Sequence, residues 1–136
     1  MKSFVNDLVA LLQVDEGNTR VAALSFAWVV MEGFSLDRFA ATTDVQTRIS
    51  SFSWGPSGTT NTAHALNDVR TTKLSPITGD RDSAPNVVVV ITDGASDNAT
   101  ATTVSIPMYP GPSLGMFQVF GRTGSQTLGG GGNFGL

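Results

Sequence analysis

Cysteine is absent from this 136-residue chain, and histidine occurs once, as His64. The first absence excludes disulfide scaffolds, cysteine nucleophiles and thiolate-held zinc or iron–sulfur centres; the second excludes a multi-histidine metal site. Charge is scarce as well. Eight basic residues face eleven acidic ones, a net charge of −3, and no cluster of Lys or Arg stands anywhere. A protein that tracks phosphates carries a basic patch, so the composition argues against a nucleic-acid binder. No stretch approaches the roughly 18 uninterrupted apolar residues of a membrane span. What the chain does have is 40% apolar residues, enough for a packed core, at a length that fits one domain and not two.

Met1-Lys2 ahead of an apolar stretch imitates an export signal, but Asn6, Asp7 and Gln13 interrupt it and no small-residue cleavage site follows. Phe4, Val5, Leu8, Leu11 and Leu12 recur at helical spacing instead. They predict an amphipathic helix with that face in the core, stopped by Gly17. Thr19 to Phe26 and Trp28 to Leu36 read as two strands joined by a short hinge, hence an antiparallel hairpin. Asp44 is placed to cap a helix carrying Val45, Ile49 and Phe52 at i, i+4 and i+7.

A turn-rich stretch, Gly55 to Thr62, precedes a helix with Ala65, Leu66 and Val69 on one side. Gly79-Asp80-Arg81-Asp82 reads as a polar loop, and Pro85 opens the next element. Val87 to Ile91, five β-branched residues in a row, predicts a central parallel strand covered on both faces, ending in Thr92-Asp93-Gly94. Prolines interrupt Ile106 to Pro112 too often for a helix. Met116 to Phe120 reads as one more short strand, and Gly129 to Gly135 as part of a flexible Gly-rich tail over residues 121–136. Helices alternating with apolar strands predict an α/β doubly wound sheet, in which ligands sit beyond the carboxyl ends of the strands.

Asp93 lies at such an end, where the residues alone allow either a ligand or an ordinary Asp-Gly turn. Thr60 is open to two readings, a ligand hydroxyl or a capping hydroxyl. Thr62 is a helix cap or a partner supporting the site, and Ser96 and Asp97 read as turn and cap residues before they read as ligands. His64 belongs to a helix face, with no acid–base partner identifiable. Trp28 and Trp54 read as packing residues. Asn98-Ala99-Thr100 is a glycosylation sequon, meaningful only in an exported chain. Gly55 to Thr60 lacks the lysine of a phosphate loop, and no Gly-x-Gly-x-x-Gly follows a strand.

Three segments taken in order resemble a von Willebrand factor type A domain, the inserted domain of integrins. They are Met1 to Val9 with Thr19-Arg20-Val21 and Ser25-Phe26; Ser57 to Leu66; and Pro85 to Asp97, together about residues 1–98. The resemblance implies a Rossmann-like fold, mostly parallel with one antiparallel edge strand, and a metal-ion-dependent adhesion site for Mg²⁺ or Mn²⁺. In the family that site uses Asp-x-Ser-x-Ser in a first loop, a Thr in a second and an Asp in a third. By position the Thr matches Thr60 and the Asp matches Asp93, with Thr62 and Ser96 as supporting residues. Asp-x-Ser-x-Ser appears nowhere in the sequence. The resemblance therefore implies a chain that starts about one strand late, without the first central strand. It also implies an A-like domain over residues 1–120, divergent after about residue 98, where the family has a helix and this chain is rich in proline.

The expectation is accordingly a protein-binding adhesion or extracellular-matrix module, not an enzyme, with metal binding weak or absent. Its partner would be a matrix or cell-surface protein and its location extracellular, both implied by the family. Two other readings remain: a small α/β hydrolase or phosphotransferase using Asp93, and a truncated chain without independent function.

Overall fold

The computed structural model describes residues 1–53, 59–92 and 95–102 with their side chains, and the backbone of 103–105 and 115–120. Trp54 to Gly58, Asp93, Gly94, Ile106 to Pro112 and the tail after residue 120 lie outside the described residues. The elements run α1 (Lys2–Ala10), β1 (Ala23–Phe26), β2 (Val30–Phe34), α2 (Thr42–Ser51), α3 (Thr62–Asp68), β3 (Val87–Thr92), α4 (Ala99–Ser105) and β4 (Gly115–Phe120). A π-helical turn, Val69–Lys73, extends α3, and a 3₁₀ turn covers Pro76–Thr78.

Strands β1 and β2 form the expected antiparallel hairpin, Ala23 opposite Phe34 and Leu24 opposite Gly33, with an irregularity between Ser25 and Phe26. β3 pairs in parallel with β4, Val87 opposite Gly115 through Thr92 opposite Phe120. These are two separate two-stranded sheets; β1 and β3 are not hydrogen-bonded to each other.

The core is divided in the same way. One cluster comprises Val9, Val14, Phe34, Val45, Ile49 and Phe52, with Val5, Leu12, Val21, Ala23 and Phe39 packed against it. The other is Leu66, Val88 and Val90, joined by Val69 and Leu74. Helices α1 and α2 pack on each other, and α3 packs on α4.

Several local expectations need correction. α1 ends at Ala10, well before Gly17, because the chain turns so that Val14 enters the core. Gly17, at φ +73°, closes the next turn through its N–H to the Val14 carbonyl. The inward residues of α1 are thus Val5 and Val9, while Phe4 and Leu11 face solvent. Asp44 does not cap α2. It stands in the first turn, where a negative charge suits the helix dipole. The cap comes from Asp15, whose carboxylate accepts from the Thr42 N–H (2.9 Å) and the Thr42 hydroxyl (2.6 Å). Those two bonds hold the Asp15 carboxyl below its usual range.

β3 is covered on one face only: Val88, Val90 and Thr92 are buried, whereas Val87 is 60% and Val89 39% exposed. Trp28 is 61% exposed at the hairpin turn and is not a core residue. The proline-rich third does not begin directly after the third motif, since α4 intervenes.

The other end of α2 is tied to β2 through Glu32. Its carboxylate accepts from the Ser53 hydroxyl, the Ser53 N–H (2.8 Å) and Arg48 (3.0 Å). The Ser53 hydroxyl leads these in pulling the carboxyl down from the usual 4.5 to about 2. A carboxyl depressed on folding stabilises above its unfolded pKa, and the contribution fades as pH falls through the folded value. Glu32→Gln is therefore expected to lower the urea midpoint at neutral pH, with the deficit shrinking progressively below about pH 4.5. A deficit that stays constant down to about pH 2 would contradict this role.

Candidate functional site

The carboxyl ends of β1 and β3 and the starts of α3 and α4 converge on one cluster of loops. Past the end of β1, the Ala27 carbonyl accepts from the Asn61 N–H at 2.8 Å. Asn61 also caps α3, its Oδ1 accepting from the His64 N–H (3.1 Å). This short polar side chain fits the N-cap preference, so Asn61, and not Thr62, is the cap. Thr62 is the first residue of α3 and is buried. His64 is exposed on that helix, as its position in the pattern indicated.

Thr60 and Asp97 meet through a reciprocal pair of hydrogen bonds. The Thr60 N–H donates to Asp97 Oδ2 at 2.6 Å, and the Asp97 N–H donates to the Thr60 carbonyl at 2.9 Å. A backbone amide on an ionised carboxylate is among the stronger bonds a loop can make. Residues 37 positions apart in sequence are thereby clasped beyond the strand ends. Sequence reading assigned Asp97 to a turn and gave no sign of this bond, because nothing local specifies its partner.

Ser96 serves the start of α4: its Oγ accepts from the Asn98 N–H (3.3 Å) and the Thr102 hydroxyl (2.9 Å). Asn98 is the cap, with Oδ1 accepting from the Ala101 N–H at 3.0 Å, and the residue is exposed. Of the residues singled out from sequence, the structure brings Thr60, Thr62 and Ser96 to this face, together with Asp97 and Asn98. Asp93 lies outside the described residues.

A hard divalent cation asks for about six oxygen ligands in near-octahedral array if it is Mg²⁺. Here Asp97 directs a carboxylate oxygen at the Thr60 amide, and Ser96 Oγ is engaged in the first turn of α4. Among the described residues, no three His, Asp or Glu side chains gather where an ion could sit. The described donors do not fit such a cation.

Comparison with known proteins bears directly on this arrangement. The family model described as "von Willebrand factor type A domain" matches residues 1–108. The chain belongs to that family. The A domain is 26% identical over 110 residues to von Willebrand factor of Rattus norvegicus, covering 80% of this chain and 26% of that protein. It is 29% identical over 98 residues to Matrilin-1 of Gallus gallus, covering 72% of this chain and 20% of the other. It thus spans about a quarter or less of the curated relatives named here.

Among solved structures, proximal thread matrix protein 1 from the mussel byssus superposes with a TM-score of 0.78. The identity is 21%, over 87% of this chain and 31% of the mussel chain. A second structure of that mussel protein is described as having a zinc-occupied MIDAS motif, the metal-ion-dependent adhesion site, and superposes at 0.72 with 20% identity. These likenesses establish an α/β, Rossmann-like fold. The family match also runs ten residues beyond the resemblance read from sequence, into and past α4.

Proposed function

We propose that this A domain is a protein-binding module of an adhesion or extracellular-matrix protein, that it is not an enzyme, and that it works outside the cell. The observation carrying this reading is the family match across residues 1–108, which holds the loop face formed by Thr60, Asn61 and Asp97. In this reading residues 1–120 are the domain and 121–136 a Gly-rich appendage. The sheet is doubly wound and mostly parallel with β2 at its antiparallel edge, and among the described residues no strand pairs between β1 and β3. Partners are matrix or cell-surface proteins, and Asn98 is available for glycosylation on the exported chain.

Thr60 and Asp93 occupy two positions of the family's metal site, supported by Thr62 and Ser96. Without Asp-x-Ser-x-Ser the site is degraded, and Mg²⁺ or Mn²⁺ binds weakly or not at all. A bound metal would act as a Lewis acid completed by a carboxylate from the partner. This chain's own contribution is to hold the loops, through the Thr60–Asp97 clasp and the Asn61 bond to Ala27.

The expected result is a thermal melt indifferent to Mn²⁺ up to about millimolar concentration, because a ligand raises stability only above its Kd. Retention on a reconstituted matrix film should likewise survive EDTA. Micromolar Mn²⁺ binding abolished by Asp93→Ala would overturn the degraded-site reading, and retention no better than on albumin would overturn the adhesive one. Hydrolysis of p-nitrophenyl phosphate lost in Asp93→Asn would instead point to the phosphotransferase alternative.

A further inference from the structure

Asn98-Ala99-Thr100 is the one Asn-x-Ser/Thr triplet in the sequence, and all three residues are exposed. An N-glycan acceptor needs an accessible side-chain amide with a hydroxyl two residues on. The structure supplies both. The Asn98 N–H donates to Ser96 Oγ (3.3 Å), and its Oδ1 accepts from the Ala101 N–H (3.0 Å). Its main-chain carbonyl accepts from the Thr102 N–H (3.0 Å) and the Thr102 hydroxyl (2.9 Å). Among the described residues, Asn98 Nδ2 donates to no acceptor and the Thr100 hydroxyl makes no hydrogen bond. The other polar groups of Asn98 thus fix it in place, and the nitrogen that would carry a sugar is left over.

The position matters more than the triplet. Asn98 directly follows Asp97, whose carboxylate and N–H clasp Thr60. Consecutive Cα atoms stand about 3.8 Å apart. A protein contact of ordinary size covers about 800 Å² on each partner, a disc of about 16 Å radius. A partner centred on the Thr60–Asp97 clasp therefore lies over Asn98 as well. A glycan there is bulky and hydrophilic, and burying its hydroxyls under a partner costs free energy unless each finds a new hydrogen bond.

We propose that Asn98 carries an N-glycan that shields the loop face, so that occupancy of this one residue sets whether the domain adheres through that face. The proposal rests on the exported, adhesive reading given above and needs no metal. Transfer is a substitution without redox change. Nδ2 forms a bond to C1 of the first sugar of a lipid-linked diphospho-oligosaccharide as the C1–O bond to the diphosphate breaks. The lipid diphosphate leaves, and one Nδ2 proton passes to a base of the transferase. The amide carbonyl is untouched, so Oδ1 still caps α4. The glycan changes what the loop face presents without unseating the loop.

The test uses the full 136-residue chain, secreted from a glycosylating eukaryotic cell behind a supplied leader, with EDTA throughout. Intact mass should show one glycan on the parent and on Thr100→Ser, which keeps the triplet, and none on Thr100→Ala or Asn98→Asp. Both glycan-free variants keep the cap of α4, since Thr100→Ala leaves Asn98 in place and aspartate caps as well as asparagine. They should melt close to the parent and be retained on a reconstituted matrix film roughly tenfold better than its glycosylated form. Enzymatic removal of the glycan from the folded parent should give the same gain. Absence of a mass gain in the parent would overturn the acceptor. Retention above albumin that is equal with and without the glycan would overturn the shield and leave the adhesive reading standing. Better retention of the glycosylated form would make the glycan itself a contact and overturn the shield. Retention of every form at the albumin level would instead overturn adhesion, and the shield with it.

Discussion

Phe34→Ala should cost about 3–5 kcal/mol, the usual range for emptying a buried aromatic site. Phe34 is the last residue of β2 and is 6% exposed. Its ring meets Phe39 edge-on at 5.1 Å between centroids and Phe52 at 6.1 Å. It is thus where the hairpin, the loop after it and the end of α2 come together. Small domains hold only about 5–15 kcal/mol in total, so the variant should lose most of its cooperative urea transition. Phe34→Leu, which keeps much of the volume, should lose far less. A midpoint for Phe34→Ala within about 1 kcal/mol of the parent would show that this cluster is not the domain's main store of stability.

The second large effect is expected at Gly79, for a reason unrelated to burial of apolar surface. Gly79 ends the 3₁₀ turn with φ +92°, and a Cβ there would stand 2.7 Å from both the backbone nitrogen and the Cβ of Asp37. Gly79→Ala therefore adds two costs. Left-handed backbone disfavours any side chain by about 1–2 kcal/mol, and displacing Asp37 adds about 1–3 kcal/mol of overpacking. Gly17 provides the internal control, since it has φ +73° with open space where a Cβ would go. Gly17→Ala should show the backbone cost alone. Equal losses in the two alanine variants, measured by urea denaturation, would remove the steric part of the argument.

These two positions also mark how far a sequence carries. The i, i+4, i+7 spacing of Val45, Ile49 and Phe52 identifies the inner face of α2, and all three are buried. The hinge after Phe26 specifies the hairpin, and the β-branched run specifies β3. Such features follow from local periodicity. What was not legible depends on partners distant along the chain. Asp15 caps α2 from 27 residues away, outcompeting the local reading of Asp44. The exposure of Val87 and Val89 depends on what packs against β3, which five consecutive β-branched residues cannot encode.

The loop face shows the same division. The family pattern singles out Thr60, which the structure places in the loop before α3. Its bond to Asp97 through the backbone was not legible, because any residue but proline supplies an N–H there. Asn61 could have been found: a short polar residue directly before Thr-Ala-His-Ala-Leu fits an N-cap better than the threonine after it.

The two sheets and their core clusters are joined by a pair of arginines, with a consequence for the solvents this domain tolerates. Arg20 and Arg81 each hold main-chain carbonyl oxygens, not carboxylates. Dissolved electrolyte weakens attraction between exposed full charges over about 10 Å at 0.1 M, but it has little purchase on a guanidinium seated on a carbonyl dipole. The seam between the two halves is therefore built to persist in brine as in dilute buffer. The pair Arg48–Glu32, by contrast, lies within the first half and joins two full charges 3.0 Å apart. Ionic strength has more purchase on that internal brace than on the joint between the halves.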